Sequence, residues 1–379
     1  MEYILKRREI IKIIIGGLIS IFSSLFGLNK FHKKKVTSVS MNNIKRITNL
    51  PENGPWPTLD PFLFCVHHND EYPLATKNYF PKSSLSGRNI GNDFSNKDGW
   101  NMYHGETIPG FPKHPHRGFE TLTVVEKGFI DHSDSLGATA RYGNGDSQWL
   151  TAGNGINHSE MFPLFNQDKI NKLDFFQIWI NLPAKNKFVN PKFLMFWKDQ
   201  IPKVKLKDKN GVVSTMEIIS GDFNKIKAPI APPNSWASNP QNHVAVWVLH
   251  LKSKGIVNIP NAATDINRCL YLNKDTNINL NHNPMKAHTM IELHSDKSIS
   301  LENKGSDTKI LILQGKPINE PVAKYGPFVM NTRSEIEQAF HDYNSTGFGG
   351  WKWKKSDPIH GSFNGKFAKY PNGDLDKPS

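Results

Sequence analysis

The chain has 379 residues, more than one compact core uses, so two domains are expected. Its 37% hydrophobic content, 25 prolines and 28 glycines exclude a disordered or collagen-like chain, and many short β-branched and aromatic runs favour strands over helices. The formal charge of +13 divides unevenly: residues 1–35 hold eight Lys/Arg and two Glu, and the other +7 is scattered without a basic helix, which excludes a DNA or RNA surface.

In chain order, "KRREIIKIIIGGLISIFSSLFGL" opens with a basic stretch and runs apolar from Ile13 to Leu28, short for a membrane span. Arg7-Arg8-Glu9-Ile10-Ile11-Lys12 resembles the twin-arginine export signal, although Lys6 stands where Ser or Thr is common and no A-x-A site follows. Residues 1–35 are therefore read as a twin-arginine-like signal or a membrane anchor. Export to the periplasm or cell envelope is expected, with a membrane-anchored or cytoplasmic protein as the alternative. Residues 36–52 read as a linker. A first domain is expected over 53–195, with a strand reaching Val125, turns at Lys127-Gly128, Asp134-Gly137 and Asn144-Asp146, and the apolar strand "DFFQIWINL" near its end. A second β-domain over 196–330 carries "HVAVWVLHL", "RCLYL" and "TKILILQG". Over 331–379 a helix begins at the capping box Thr332-Arg333-Ser334-Glu335, with Ile336, Ala339, Phe340 and Tyr343 at i, i+3, i+4 and i+7, and a tail follows. Cys65 and Cys269 read as buried small hydrophobes.

Two short patterns carry chemistry. In "HPHRGFETLTVV" His114 and His116 stand two apart, and in "GINHSEM" so do His158 and Glu160. Side chains two apart on a strand share a face, and a barrel interior lets two such pairs converge. Three imidazoles and a carboxylate without thiolate suit Fe(II), Mn, Ni or Cu ahead of Zn. An octahedral ion would keep two open positions for a chelating substrate, or for substrate and dioxygen. Glu120, on a regular strand, would share the face of His116 about 13 Å further along. It is expected to support a ligand by a hydrogen bond or to pair with Arg117 or Arg141. His67, His68, His104 and His132 read as satisfied or exposed polar residues, with adjacent His67 and His68 on opposite faces. Phe111, Phe119, Trp149 and Met161 adjoin the motifs and could wall a flat ligand.

"HPHRGFET", "DHSDSLG", "GDSQWLTAGNGINHSEM" and "EPVAKYGPFVMNTRSEIEQAFHDY" resemble the pirin family of the cupin superfamily, from about Trp56 to Tyr343. The tail "FGGWKW…GKFAKYPNGD" is similar to an extended bacterial branch. The resemblance implies an all-β bicupin: two β-barrel, jelly-roll-like domains with a few short helices. It implies iron in the N-terminal barrel on His114, His116, His158 and Glu160, and no metal in the second, where His282, His288 and His294 form no H-x-H or H-x-E pair. It further implies a quercetin 2,3-dioxygenase-like oxidoreductase that cleaves a flavonol, or a related chelating aromatic, with dioxygen and with Glu160 as catalytic base. The alternative is a non-enzymatic, metal-dependent regulatory or redox-sensing protein, a transcriptional co-regulator acting through protein partners. Export favours the enzyme. A monomer is expected, with a small aromatic substrate, no direct nucleic-acid contact and membrane association only through residues 1–35.

Overall fold

The structure, a computed structural model, describes residues 42–362 and 365–379. The leader with Arg7 and Arg8 lies outside the described residues. Strands dominate from the start: β1 Ile44–Asn49, β2 Phe62–Tyr72, β3 Gly110–His116, β4 Phe119–Lys127 and β5 Phe129–Asp134. They continue as β6 Thr139–Gly143, β7 Ser147–Thr151, β8 Ile156–Met161, β9 Asn171–Asn181 and β10 Lys192–Phe196. One sheet has the order β10-β7-β4-β9-β2; β6, β5, β8 and β3 form the sheet that faces it. Val125, Leu150 and Phe175 from the first meet Ile130, Tyr142 and Ile156 from the second in a shared core.

A second pair of sheets follows from β11 Lys203–Lys207, β12 Val213–Ser220, β13 Ala245–Leu251, β14 Ile256–Ile259 and β15 Asn267–Leu272. It is completed by β16 Ile278–Leu280, β17 Asn283–Pro284, β18 Thr289–His294, β19 Ile299–Asn303 and β20 Thr308–Gly315. The larger sheet runs β1-β18-β15-β20-β13-β12-β11 and the smaller β14-β19-β16-β17, so the chain is a bicupin. Residues 44–49, expected within a linker, are instead the edge strand of this larger sheet, with Ile47 opposite Ile291. Their mixed "IKRITN" pattern hides a strand, and its Lys and Arg suit an exposed edge.

Period-two alternation gives the central sheets two buried faces. On β4 Leu122 and Val124, on β9 Phe176, Ile178 and Ile180, and on β2 Cys65 pack against Val246, Val248, Cys269, Tyr271 and Leu313 of the second domain. Both cysteines are free and buried in this inter-domain core. The residues of opposite parity, among them Phe175 and Val125, face the first barrel's interior.

Glu120 departs from its expected position. Between β3 and β4 the backbone turns at Gly118, whose φ is +85° and whose place a Cβ could not take without meeting Val329 O at 2.0 Å. The break reverses the parity inferred from a regular strand, and Glu120 joins the face of Leu122 and Val124. There Thr151 Oγ1 donates to it over 2.7 Å and Ser235 Oγ over 2.5 Å. It meets neither arginine: Arg117 pairs with Asp342 and Arg141 with Asp131, each at 2.7 Å.

The last segment returns to the first domain. β21 Ala323–Tyr325 and β22 Phe328–Met330 precede α1 Arg333–Thr346, the single α-helix among the described residues. Its capping box forms as expected, with Ile336 and Ala339 buried. Val329 N donates to Arg117 O, and the buried Lys187 Nζ reaches Gly118 O, Asn181 Oδ1 and Val329 O, so the helix hairpin is tied to the β3–β4 turn. β23 Phe367–Lys369 and β24 Leu375–Asp376 then extend the second sheet beyond β6.

Burial raises the Glu120 carboxyl to about 7, against the opposing pull of its Ser235 and Thr151 hydrogen bonds. A carboxyl raised in the folded state stabilises the chain fully below its unfolded value near 4.5, and that stabilisation is lost as pH climbs to about 7. Glu120→Gln keeps a group able to meet both hydroxyls and cannot ionise. Relative to wild type, it should gain about 2 kcal/mol of stability between pH 5 and pH 8 in urea melts. A constant difference across that range would contradict the assignment.

Candidate metal centre

β3 and β8 pair antiparallel with His114 opposite His158, which sets the two motifs side by side. His114, His116 and His158 each offer a ring nitrogen within 4.8 Å of the other two. Ring centroids are 4.3 Å apart for His114 and His158, 4.8 Å for His114 and His116, and 4.9 Å for His116 and His158.

The tautomers follow from the partners. Nδ1 of His114 lies 2.9 Å from Pro112 O, and Nδ1 of His116 lies 3.4 Å from Pro327 O. A carbonyl can only accept, so each Nδ1 carries the hydrogen and each Nε2 keeps a lone pair. His158 is different: both of its nitrogens are buried without a hydrogen-bond partner. Burial pushes all three imidazoles towards the neutral form, His114 to about 4 and the others well below the usual histidine range. Three neutral imidazoles, two oriented by carbonyls and one with orphaned buried nitrogens, fit a first-row metal ion.

Glu160 stands next along β8, opposite Phe111 and outside the three-imidazole spacing. Gln177 Nε2 donates to its Oε2 over 3.3 Å, and Thr123 Oγ1 lies 3.1 Å from its Oε1. Burial raises the carboxyl, opposed by His132, Thr123, Tyr142 and Gln177. Of the other histidines, His132 lies beside the trio, its ring 5.6 Å from that of His158, but its Nε2 is turned to Asp134 at 3.1 Å. His104 is turned to Gly91 O at 2.7 Å, and His67 to Asp174 at 2.8 Å on the inter-domain face. His282, His288 and His294 enter no ligand-like group; the other such group among the described residues is Glu126, Glu217 and His250, where Lys203 already lies 2.5 Å from Glu217.

A cavity of about 1400 Å³ opens from His114, His116 and Glu160 past Gln177 and Trp179 to His68 and the loop residues 87–106. Of the four expected wall residues Phe111 lines it. Trp149 belongs to the inter-domain core, Phe119 stacks behind Trp179 at 4.3 Å, and Met161 is buried away from the cavity. Phe175, Gln177 and Trp179 also line it, and "DFFQIWINL" holds them at every second position. Pro327 could not be found from spacing, because it reaches His116 from 211 residues downstream.

The family profile of pirin matches residues 48–180, and that of the pirin C-terminal cupin domain matches residues 246–349. Pirin-1 of Arabidopsis thaliana is 34% identical over 238 residues, covering 62% of this chain and 77% of its own. A Pseudomonas aeruginosa protein with a provisional quercetin 2,3-dioxygenase name is 32% identical over 242 residues, covering 63% and 79%. The crystal structure of an Acinetobacter baumannii quercetin 2,3-dioxygenase superposes with a TM-score of 0.61 at 25% identity, covering 81% of this chain and 96% of that one. With both cupin domains matched in order, the chain belongs to the pirin family.

Proposed function

We propose that the first barrel holds an iron ion on His114, His116 and His158, with Glu160 as the fourth ligand, and that the protein is a dioxygenase for a flavonol such as quercetin or a related chelating aromatic. The observation that carries this reading is His158: two buried nitrogens without partners, beside two imidazoles whose Nε2 lone pairs are free, at the head of an aromatic cavity. The names of the relatives point to the same substrate class.

A bound metal would supply Lewis acidity towards a hydroxyl–carbonyl pair and a means of engaging dioxygen. The chain's own residues do the rest. Glu160, which lines the head of the cavity, is placed to accept a proton from a substrate hydroxyl there. Gln177 Nε2 donates to that carboxylate, and Thr123, whose one hydroxyl proton goes to Gln177 Oε1 at 2.6 Å, fixes the amide that does so. Phe111, Phe175 and Trp179 supply flat apolar walls that orient a planar ring and exclude water. Residues 1–35 would carry this protein out of the cytoplasm through the twin-arginine route, which accepts folded, metal-loaded chains. That address separates an envelope enzyme from a partner of transcription.

Two tests follow. His158→Ala should lower bound metal at least about tenfold by elemental analysis, whereas His282→Ala should leave it unchanged; equal metal in both would refute the assignment to the first barrel. Replacing Arg7 and Arg8 by Lys should retain the protein in the cytoplasm on fractionation, since the twin-arginine route reads the arginine pair itself. An unchanged distribution would point to a plain anchor, which responds to charge and apolar length alone.

A further inference from the structure

At the end of the cavity away from the imidazoles, three side chains form a chain of hydrogen bonds that the proposed chemistry does not use. Asp70 and His68 stand two apart on β2, and Tyr103 comes from the excursion between β2 and β3. Asp70 Oδ1 accepts from both the backbone N and the side-chain Nδ2 of Asn101, at 2.9 and 2.8 Å. Its Oδ2 lies 2.6 Å from the Tyr103 hydroxyl, which in turn lies 2.8 Å from His68 Nδ1.

Proton accounting fixes the roles. Burial raises Asp70 only to about 6 and holds the Tyr103 phenol well above its usual range, so at neutral pH the carboxylate is ionised and the phenol keeps its one proton. That proton goes to Asp70, so the phenol oxygen accepts from His68 Nδ1–H. His68 is held neutral, near 3, by burial, and its Nε2 therefore carries a lone pair. The ring stacks on Phe175 at 4.4 Å and lines the cavity; among the described residues Nε2 has no protein partner. A histidine kept only for packing would not need its tautomer set by a buried carboxylate and a phenol, with the other nitrogen left at a cavity wall.

On the interior face of β2 and β9, Val66 opposes Gln177 and His68 opposes Phe175. Gln177 holds Glu160, so His68 stands two residues, about 7 Å, further from the metal-site end along the same wall. Phe111 spans the interval, with its ring 6.3 Å from His114 and 5.9 Å from His68. We propose that His68 Nε2 accepts a hydrogen bond from a hydroxyl on the distal ring of an extended planar aromatic whose other end would meet a metal held by His114, His116 and His158, and so selects hydroxylated substrates. Asp70 and Tyr103 act through His68 as positioning residues. This inference rests on the aromatic-substrate reading of the cavity.

The test uses two ligands that differ in one group, 3-hydroxyflavone and its 4′-hydroxy derivative, titrated into full-length metal-loaded protein by the absorbance shift of the chelated flavonol. Wild type should bind the hydroxylated ligand about tenfold tighter, the worth of one hydrogen bond to a preset acceptor. His68→Phe, which keeps a ring on Phe175, should abolish that preference while leaving metal content and affinity for 3-hydroxyflavone unchanged. Tyr103→Phe should reduce the preference without abolishing it. A wild type that binds both ligands equally, or a His68→Phe variant that weakens both equally, would overturn the role of His68 alone. A wild type that binds neither would overturn the substrate reading and this inference with it.

Discussion

Three imidazoles, the half-buried His114 and the buried His116 and His158, meet in one corner of a β-barrel, and the two nitrogens of His158 meet no hydrogen-bonding group there. An unpaired buried polar atom costs about 1–3 kcal/mol, so this corner destabilises the apo chain unless something ligates it. Burial also keeps the rings neutral, which removes both charge repulsion and the competing proton from the lone pairs. The same desolvation that makes the site costly thus makes it ready for a metal. Its orientation comes from two carbonyls, one local on Pro112 and one on Pro327 from beyond the second domain. The helix hairpin and its ties through Arg117 and Lys187 are thereby part of the site's support.

The sheet β10-β7-β4-β9-β2 works in two directions at once. Its even-numbered residues on β4 and β9 bind the domains together through an apolar core, while odd-numbered neighbours such as Thr123, Phe175, Gln177 and Trp179 furnish the first barrel's interior. Stability and chemistry therefore alternate along the same strands. The second barrel fills its interior with Leu270, Ile291, Leu301 and Ile312 and contributes the other half of the inter-domain core, with no imidazole cluster of its own among the described residues.

Much of this was legible because a strand's period is two. The pairs His114/His116 and His158/Glu160 announce themselves by that spacing, and the long apolar runs at 171–181, 245–251 and 308–315 are central strands buried on both faces. The capping box at Thr332 marks its helix for an equally local reason. What failed to show depends on breaks or on distance. Gly118 reverses the parity that would have put Glu120 on the face of His116, and a polar strand at 44–49 is recognisable only by its partner β18. His68 looks like any polar histidine until the excursion before β3 brings Tyr103 against it. Pro327 becomes visible only once the chain has folded back.

X-ray absorption at the metal edge of the full-length, iron-loaded protein tests the three-imidazole centre most directly, because imidazole rings give an outer-shell scattering pattern that oxygen and sulfur donors lack. The expected spectrum has three imidazoles with oxygen completing the sphere, consistent with His114, His116, His158 and Glu160. His158→Ala should remove one imidazole from it. A spectrum without imidazole scattering, or with a sulfur shell that would require Cys65 or Cys269 to leave the inter-domain core, would contradict the assignment.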